Sequence, residues 1–340
     1  MLRVFVREKQ SMKTAGVDVA HKTLAVAIRK AGKTGKVREF ANDPVGHRAV
    51  LKALKSAGVE RVCLEATGTY HLDLSVALDD GAVALMVVNP KTSKRFAEAM
   101  SKRTKNDAVD AAVLAEFAER MEFEPWQRPD DQALGIRACA RRLAALSKTR
   151  TEAKNQLHAL EQTQTTPRII LEDVKQSIAQ SDIQIARLRT WALGVIDDEA
   201  VLKETFALLI SIKGVAEASA IQLMGELLVL PEEMKAKQWV AMAGLDPRHN
   251  ESGTSVNKKP RISKAGNRYL RMALYMPALS AARHDRHVHG YYRHLLEQRG
   301  LKKIQAICAV MRKLLHAIHG MLKHRQPFDG RRFYALQEAA

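Results

Sequence analysis

The order of apolar runs between residues 14 and 88 narrows the possible folds more than any other feature of this chain. Residues 14–19 read as a buried strand and His21-Lys22 as a turn. Residues 23–29 read as a second strand and 36–41 as a third, after the Gly-containing stretch 31–35. Residues 44–56 carry helical periodicity, 61–65 is a short apolar strand, 71–79 is a helix, and 82–88 is another strand ended by Asn89-Pro90. Three antiparallel strands are thus followed by alternating helix and strand.

That succession is the order of a ribonuclease-H-like domain, an α/β fold in which acids matter by position. Asp18 falls in the middle of the first strand, flanked by apolar residues, where a purely structural charge is awkward. Glu65 ends the fourth strand, followed by the small residues of Ala66-Thr67-Gly68-Thr69, at the kind of sheet end where such folds put their ligands. Asp107 and Asp110 stand three residues apart at the start of a helix, so they share one face, which Leu114 and Phe117 continue inward. Acids at the positive end of a helix dipole explain one such pair by itself. The order D…E…D-x-x-D in these strand and helix contexts outweighs that explanation. Four converging carboxylates suit two Mg²⁺ ions holding a scissile phosphate. A competing reading of Gly16-Val17-Asp18, the first strand of an actin-like or sugar-kinase ATPase, needs a Gly and a hydroxyl residue after the acid. Val19-Ala20-His21 follows instead, and no later Gly-rich loop compensates.

The chain has 340 residues, enough for two or three domains, and a formal net charge of +18, which points to a polyanionic partner, most simply nucleic acid. No apolar run reaches the roughly 18 to 20 residues of a membrane span, and the first ten residues lack a signal-peptide core. The expected location is therefore cytoplasmic, beside the nucleoid. Cys63, Cys139 and Cys308 form no C-x-x-C pair and read as reduced core residues.

From about Leu134 long helices take over. Leu143, Leu146, Ala153, Leu157 and Leu160 keep a 3-4 spacing, and after Thr165-Thr166-Pro167 a second stripe runs through Leu171, Val174, Ile178, Ile185, Leu188, Ala192 and Val195. The pattern predicts a helical hairpin, either a plain two-helix core or an oligomerisation arm. Residues 208–228 resemble one helix-hairpin-helix, degenerate at Lys213 and Ala216. Residues 248–271 hold Arg248, Lys258, Lys259, Arg261, Lys264, Arg268 and Arg271 against the single acid Glu251, with Ser252-Gly253-Thr254-Ser255 in their midst. So basic a loop suits phosphates, and a serine hydroxyl held there stands where it can attack one; a flexible loop that only touches nucleic-acid backbone fits equally. Residues 267–282 and 302–323 read as amphipathic helices, the first kinked by Pro277. His284, His287 and His289 read as a polar loop.

Taken together, Gly16-Val17-Asp18, Glu65-Ala66-Thr67-Gly68-Thr69-Tyr70, Val88-Asn89-Pro90, Thr104-Lys105-Asn106-Asp107-Ala108-Val109-Asp110-Ala111 and Ala243-Gly244-Leu245 through Ser252-Gly253-Thr254-Ser255 resemble the DEDD transposases of insertion sequence family 110, which include the Piv-type DNA invertases. The likeness extends from Met12 onward. It implies a RuvC-like domain at 12–130 whose Asp18, Glu65, Asp107 and Asp110 bind Mg²⁺, a coiled-coil insertion at 131–200, and a mainly α transposase domain at 201–340 with Ser252 as nucleophile. It also implies donor and target DNA, a structured guide RNA (the bridge RNA), and a homo-oligomer, a dimer or a synaptic tetramer, in which acids and serine act across protomers. Two other classes stand beside this one: a RuvC-like Holliday-junction nuclease, which needs the four acids and no serine, and a non-catalytic nucleic-acid-binding protein, which needs neither.

Overall fold

Asp43 and Asn106 each turn a side-chain oxygen onto a backbone N–H three residues on, at 2.7 and 2.8 Å, and so open the first and fourth helices of a mixed α/β unit. In the computed structural model, which describes residues 12–101, 106–252 and 256–336 with the side chains of 249–252 and 256–260 excepted, the chain divides into the units Met1–Arg128 and Pro129–Ala340. The first contains β1 (Lys13–Val19), β2 (Thr23–Lys30), β3 (Lys33–Thr34), β4 (Arg38–Ala41), α1 (Pro44–Ala57), β5 (Arg61–Glu65), α2 (Leu72–Asp80), β6 (Leu85–Val88), α3 (Pro90–Ala99) and α4 (Asp107–Arg120). The sheet order is β3-β2-β1-β5-β6, with β4 also on β2. β1 runs antiparallel to β2 and parallel to β5, and β5 runs parallel to β6. This mixed sheet has the ribonuclease-H-like order expected from the sequence.

Two details differ from that expectation. Asp18 is the penultimate residue of β1, not its middle. The last strand begins at Leu85 rather than residue 82, because Ala82 is in the left-handed region at φ 54° and its N–H closes the turn after α2 on Asp79 O.

Alternation along the strands sorts the two faces. Ala15, Val17, Val19, Leu24, Val26, Val62 and Leu64 pack with Val50 and Leu54 of α1 and Leu74 and Leu78 of α2. On the opposite face lie Gly16, Ala25 and Ala27, small enough for α4 to rest its backbone on the sheet. A Cβ on Gly16 would stand 2.1 Å from Ala111 O and 2.2 Å from Ala115 N. Thr14 Oγ1 donates to Ala115 O at 2.8 Å in the same seam. Farther along, Leu114 and Phe117 bury against Cys63, Met86 and Val88. The C-terminal half of α4 is held by buried Arg29, whose Nε meets Glu119 Oε2 at 2.6 Å while Arg120 reaches Glu116 at 2.6 Å. Bonded to Arg29 and to Gly32 N–H, Glu119 has its carboxyl pKa lowered.

The second unit is helical except for one hairpin. Its elements are α5 (Asp131–Leu160), α6 (Arg168–Asp197), α7 (Ala200–Ile210), α8 (Glu217–Leu227), α9 (Ala236–Ala243), β7 (Pro247–Ser252), β8 (Val256–Ile262), α10 (Arg268–His284), α11 (Arg286–Glu297), α12 (Lys303–His324) and α13 (Gly330–Phe333). The helices α5 and α6 pack on each other, and Ile136, Cys139 and Leu143 of one with Ala192 and Ile196 of the other enter the core that α7, α8, α9, α10 and α12 share. The turn between α7 and α8 holds Gly214 at φ +110°, pressed on Pro277 O and Ala281 N of α10.

The basic segment is not a loop: β7 and β8 pair antiparallel, Arg248 opposite Arg261 and Ser252 opposite Val256. With polar and charged residues in nearly every position of the two strands, the strand period carries no hydrophobic signal there. Likewise His284 ends α10 and His287 and His289 lie in α11, each of the latter pair bonded through Nδ1 to a backbone carbonyl, Tyr334 O and Ala282 O, rather than in a loop. Cys63 and Cys139 are buried and all the cysteines are free. Among the described residues, no helix is long and apolar enough to cross a membrane.

The seat of α4 generates a direct expectation. Gly16→Ala should lower the melting temperature sharply, by the equivalent of about 2 kcal/mol or more, since backbone rather than a movable side chain occupies the space. Ala25→Gly, which leaves the seam open, serves as the control in the same thermal melt.

Candidate active site

Because Gly16 fixes α4 on β1, the first turn of that helix comes to the end of the sheet where Asp18 follows on the same face as Thr14 and Gly16. The parallel register Val17↔Leu64 brings Glu65 of β5 level with Asp18 one position on. Glu65 pairs with Val88 of β6, after which Asn89 caps α3 by accepting from Lys91 N–H at 2.9 Å. Asp107 and Asp110 lie in the first turn of α4. All four acids line one cleft of about 630 Å³, together with Thr67, Ser93, Lys94 and Glu98.

The electrostatics follow from that gathering. Asp18 is half-buried, and its pKa is raised to about 6, first by burial and then by the negative charges of Asp107, Asp110 and Glu65, against one favourable backbone bond from Val19. Glu65 accepts a 2.5 Å hydrogen bond from the hydroxyl of buried Ser93, which also lies 3.1 Å from Pro90 O. A hard-oxygen donor set with surplus negative charge fits a divalent cation. As the side chains stand, no group of His, Cys, Asp or Glu among the described residues converges closely enough to hold an ion. The carboxylates would have to draw together around one.

The other candidate residues lie in the second unit. Ser252 is the last residue of β7, and its side chain, like those of Lys258 and Lys259, is outside the described residues, as are Lys105, Thr104, Met1 to Ser11 and Gly253-Thr254-Ser255. Arg248, Arg261, Lys264 and Arg268 are exposed. Arg248 and Arg261 face each other across the hairpin, a like-charge pair that an anion would relieve. Arg268 donates to Tyr269 OH at 3.0 Å. Arg271 is half-buried and donates through Nη1 to Ala243 O at 2.8 Å, so one of its nitrogens serves the fold.

Sequence reasoning missed Ser93 and buried Glu226. Ser93 sits four residues after Asn89, at the opening of a helix that begins with Pro90, and this was a usable signal. Glu226 is gripped by Arg141 at 2.7 and 3.0 Å and by Asn267 Nδ2 at 2.6 Å, ligands 85 and 41 residues away that no local pattern announces.

Residues 15–163 match a family model described as a transposase of the DEDD IS110 type, and residues 206–293 match one described as Transposase IS116/IS110/IS902 family. The chain is 28% identical over 328 residues to the pilin gene-inverting protein of Moraxella bovis, covering 93% of this chain and 97% of the relative. It is 30% identical over 276 residues to that of Moraxella lacunata, covering 79% and 81%. Among solved structures, T. thermophilus RuvC in complex with a Holliday junction substrate is similar at 15% identity and a TM-score of 0.24, over 31% of this chain and 90% of that one.

Two outcomes are expected at the cleft. Between about pH 4 and pH 6 the folded chain keeps a proton on Asp18 that the unfolded chain has released, so metal-free stability falls as pH rises through that window and levels above it. Asp18→Asn should abolish that fall and raise the melting temperature in chelator at pH 8, by about 1 kcal/mol once solvent screening of a half-exposed group is allowed for. Mg²⁺ is expected to stabilise wild type by about 2.7 kcal/mol at a hundredfold excess over Kd, and Asp18→Asn should remove that gain. A flat wild-type profile from pH 4 to 8 counts against the cluster. Ser93→Ala should leave the melt within about 1 kcal/mol of wild type yet weaken Mg²⁺ binding measured by calorimetry, with Ser93→Thr restoring it.

Proposed function

Because the chain belongs to the IS116/IS110/IS902 transposase family and is thereby a DNA transposase or recombinase, we propose that it cuts and rejoins DNA strands with Ser252 as nucleophile and Asp18, Glu65, Asp107 and Asp110 as a Mg²⁺ site. The observation that carries this reading is the gathering of four acids on one cleft, where burial first and then the charges of Asp107, Asp110 and Glu65 raise the pKa of Asp18. Four carboxylates gathered without need for the fold suit a divalent cation, whose chemistry when bound is to stabilise the attacking and leaving oxygens of a phosphodiester exchange.

The division of labour follows from the residues. The four acids hold their negative charge toward the cleft, and Ser93 keeps Glu65 in one orientation through its hydroxyl. Exposed Arg248, Arg261, Lys264 and Arg268 neutralise phosphates on either strand of the hairpin and at its foot. Ser252, at the end of β7, attacks phosphorus: its Oγ–P bond forms, one P–O bond of the backbone breaks, and the departing sugar oxygen takes up the proton. A serine hydroxyl is a weak nucleophile at neutral pH, so it depends on activation by a neighbouring base or metal site, here the acids of another subunit in a homo-oligomer. The related Moraxella proteins are named for inverting a pilin gene, and inversion requires every cut strand to be rejoined. A phosphoserine ester conserves the bond for that reversal, whereas hydrolysis by water does not. A structured guide RNA beside donor and target DNA completes the proposal, and the net charge of +18 suits so much phosphate.

The test is denaturing-gel trapping of end-labelled DNA with Mg²⁺. Wild type should yield a covalent protein–DNA adduct, Ser252→Ala should yield neither adduct nor cut, and Ser255→Ala should keep the adduct at reduced yield. Free cut ends alone from wild type would replace this reading with a RuvC-like nuclease in which water attacks. Sequencing the nucleic acid that co-purifies from the native host tests the guide: one discrete RNA encoded beside the gene is expected.

A further inference from the structure

One face of α12 presents Lys313, His316, Ala317, Gly320, Met321 and His324, spaced to form a continuous row along the helix. Across from it, the chain leaves α12 through Arg325 in the left-handed region at φ 51°, and the segment carrying Gln326, Pro327, Asp329, Arg332 and Phe333 runs back along that face. Between them lies a cleft of about 310 Å³, at the small end of ligand pockets, which run from roughly 300 to 1,000 Å³. The returning segment is fastened at both ends and along its length. Gln326 N–H reaches Met321 O at 3.1 Å, Phe328 N–H reaches Ser211 Oγ at 2.9 Å, and Tyr334 O meets His287 Nδ1 at 2.9 Å.

The lining is chemically two-sided. Lys313 and Arg332 give it positive character, and burial, with Arg312, His319 and Lys237 nearby, lowers the pKa of His316 and so favours its neutral imidazole. Its acid, Asp329, is already engaged, accepting from Arg331 N–H at 2.8 Å and lying 3.6 Å from Arg332. Among the described residues Lys313 has no carboxylate partner. Its ammonium rests instead on aromatic faces, 4.3 Å from the ring centre of Tyr291, 5.1 Å from Phe333 and 5.4 Å from Tyr334. In the middle, Ala317 and Gly320 hollow the helix face above buried Met321 and Phe333, and a Cβ on Gly320 would meet nothing within 4 Å.

We propose that this cleft binds a single nucleotide unit of an unpaired nucleic-acid strand, with the phosphate at Lys313 and Arg332 and the sugar and base over the Ala317–Gly320 hollow. The cleft is larger than a bare phosphate needs and far too narrow for a duplex. The cations at its rim suit a phosphate, and the apolar floor suits the rest of a nucleotide. It shares no lining residue with the four-acid cleft and none of its lining belongs to the Ser252 hairpin, so it survives or fails independently of the chemistry proposed for them.

The test uses full-length protein and short 4-thiothymidine-labelled DNA and 4-thiouridine-labelled RNA oligomers, photocrosslinked and mapped by mass spectrometry. Crosslinks to peptides spanning 313–333 are expected, and whether DNA or RNA gives the higher yield identifies which strand occupies the cleft. Gly320→Leu puts a side chain into the hollow from a Cβ that meets nothing within 4 Å, and it improves the helix, so its melting temperature should hold or rise while that crosslink falls about tenfold. Lys313→Gln with Arg332→Gln should lower it similarly from the phosphate end. Crosslinks that map only elsewhere, a Gly320→Leu protein that crosslinks like wild type, or displacement by inorganic phosphate as readily as by a nucleoside monophosphate would each overturn the proposal.

Discussion

The approach of α4 to β1 at Gly16 is the constraint on which the acid site depends. A helix backbone rests on a sheet this closely only where the strands offer Gly and Ala, as Gly16, Ala25 and Ala27 do. Thr14 ties the seam with a buried hydroxyl to Ala115 O, and Arg29 clamps the far end of the helix through Glu119. Both fastenings lie toward the C-terminal half of α4. Its first turn is thereby carried past the sheet's end, where Asp107 and Asp110 meet Asp18 and Glu65. Any larger side chain in the seam would lift the helix and carry Asp107 and Asp110 away from the cleft they share with Asp18 and Glu65.

That packing explains which parts of the unit were legible in its sequence. The D…E…D-x-x-D order and the strand succession are local patterns with clear periods, and they appear where expected. The glycine of Gly16-Val17-Asp18 was read only as the neighbour of an acid, because nothing in a strand's own alternation says that a helix ninety or more residues later will lie on it. The hairpin β7–β8 escaped notice for a different reason. In a two-stranded ribbon whose residues are mostly basic or polar, the period of two leaves no hydrophobic trace in the sequence. The stripes through Leu143, Leu146 and Val174 were legible because each is buried against the opposing helix or the core.

Charge is distributed unevenly along the chain. A molecule of net charge +18 gathers four acids into one cleft and sets basic residues on a hairpin in its other unit. Each keeps charge of one sign together: burial first, and then the charges of Asp107, Asp110 and Glu65, raise the pKa of Asp18 to about 6, and Arg248 faces Arg261. On the proposed reading a cation balances the acids and phosphates balance the arginines.

The base of the hairpin shows how a ribbon with so little core is held. Two strands alone are marginal in water, yet β7 and β8 leave the helical domain through a tied foot. Ser263 bonds Asp246 through side chain and backbone at 2.6 and 2.9 Å, Lys264 N–H reaches Gly244 O at 3.0 Å, and Asn267 N–H reaches Met242 O at 2.7 Å. Asn267 also caps α10 and donates to Glu226, whose carboxylate is only 1% exposed and is held by Arg141. A buried carboxylate with these partners is directional in a way that apolar packing is not, so Glu226 orients the foot while the rest of the ribbon depends on cross-strand bonds. The segment bearing Ser252 is therefore anchored where it meets the domain, and on the proposed reading phosphates bound along the ribbon would couple positioning of the Ser252 hydroxyl to arrival of the strand it attacks.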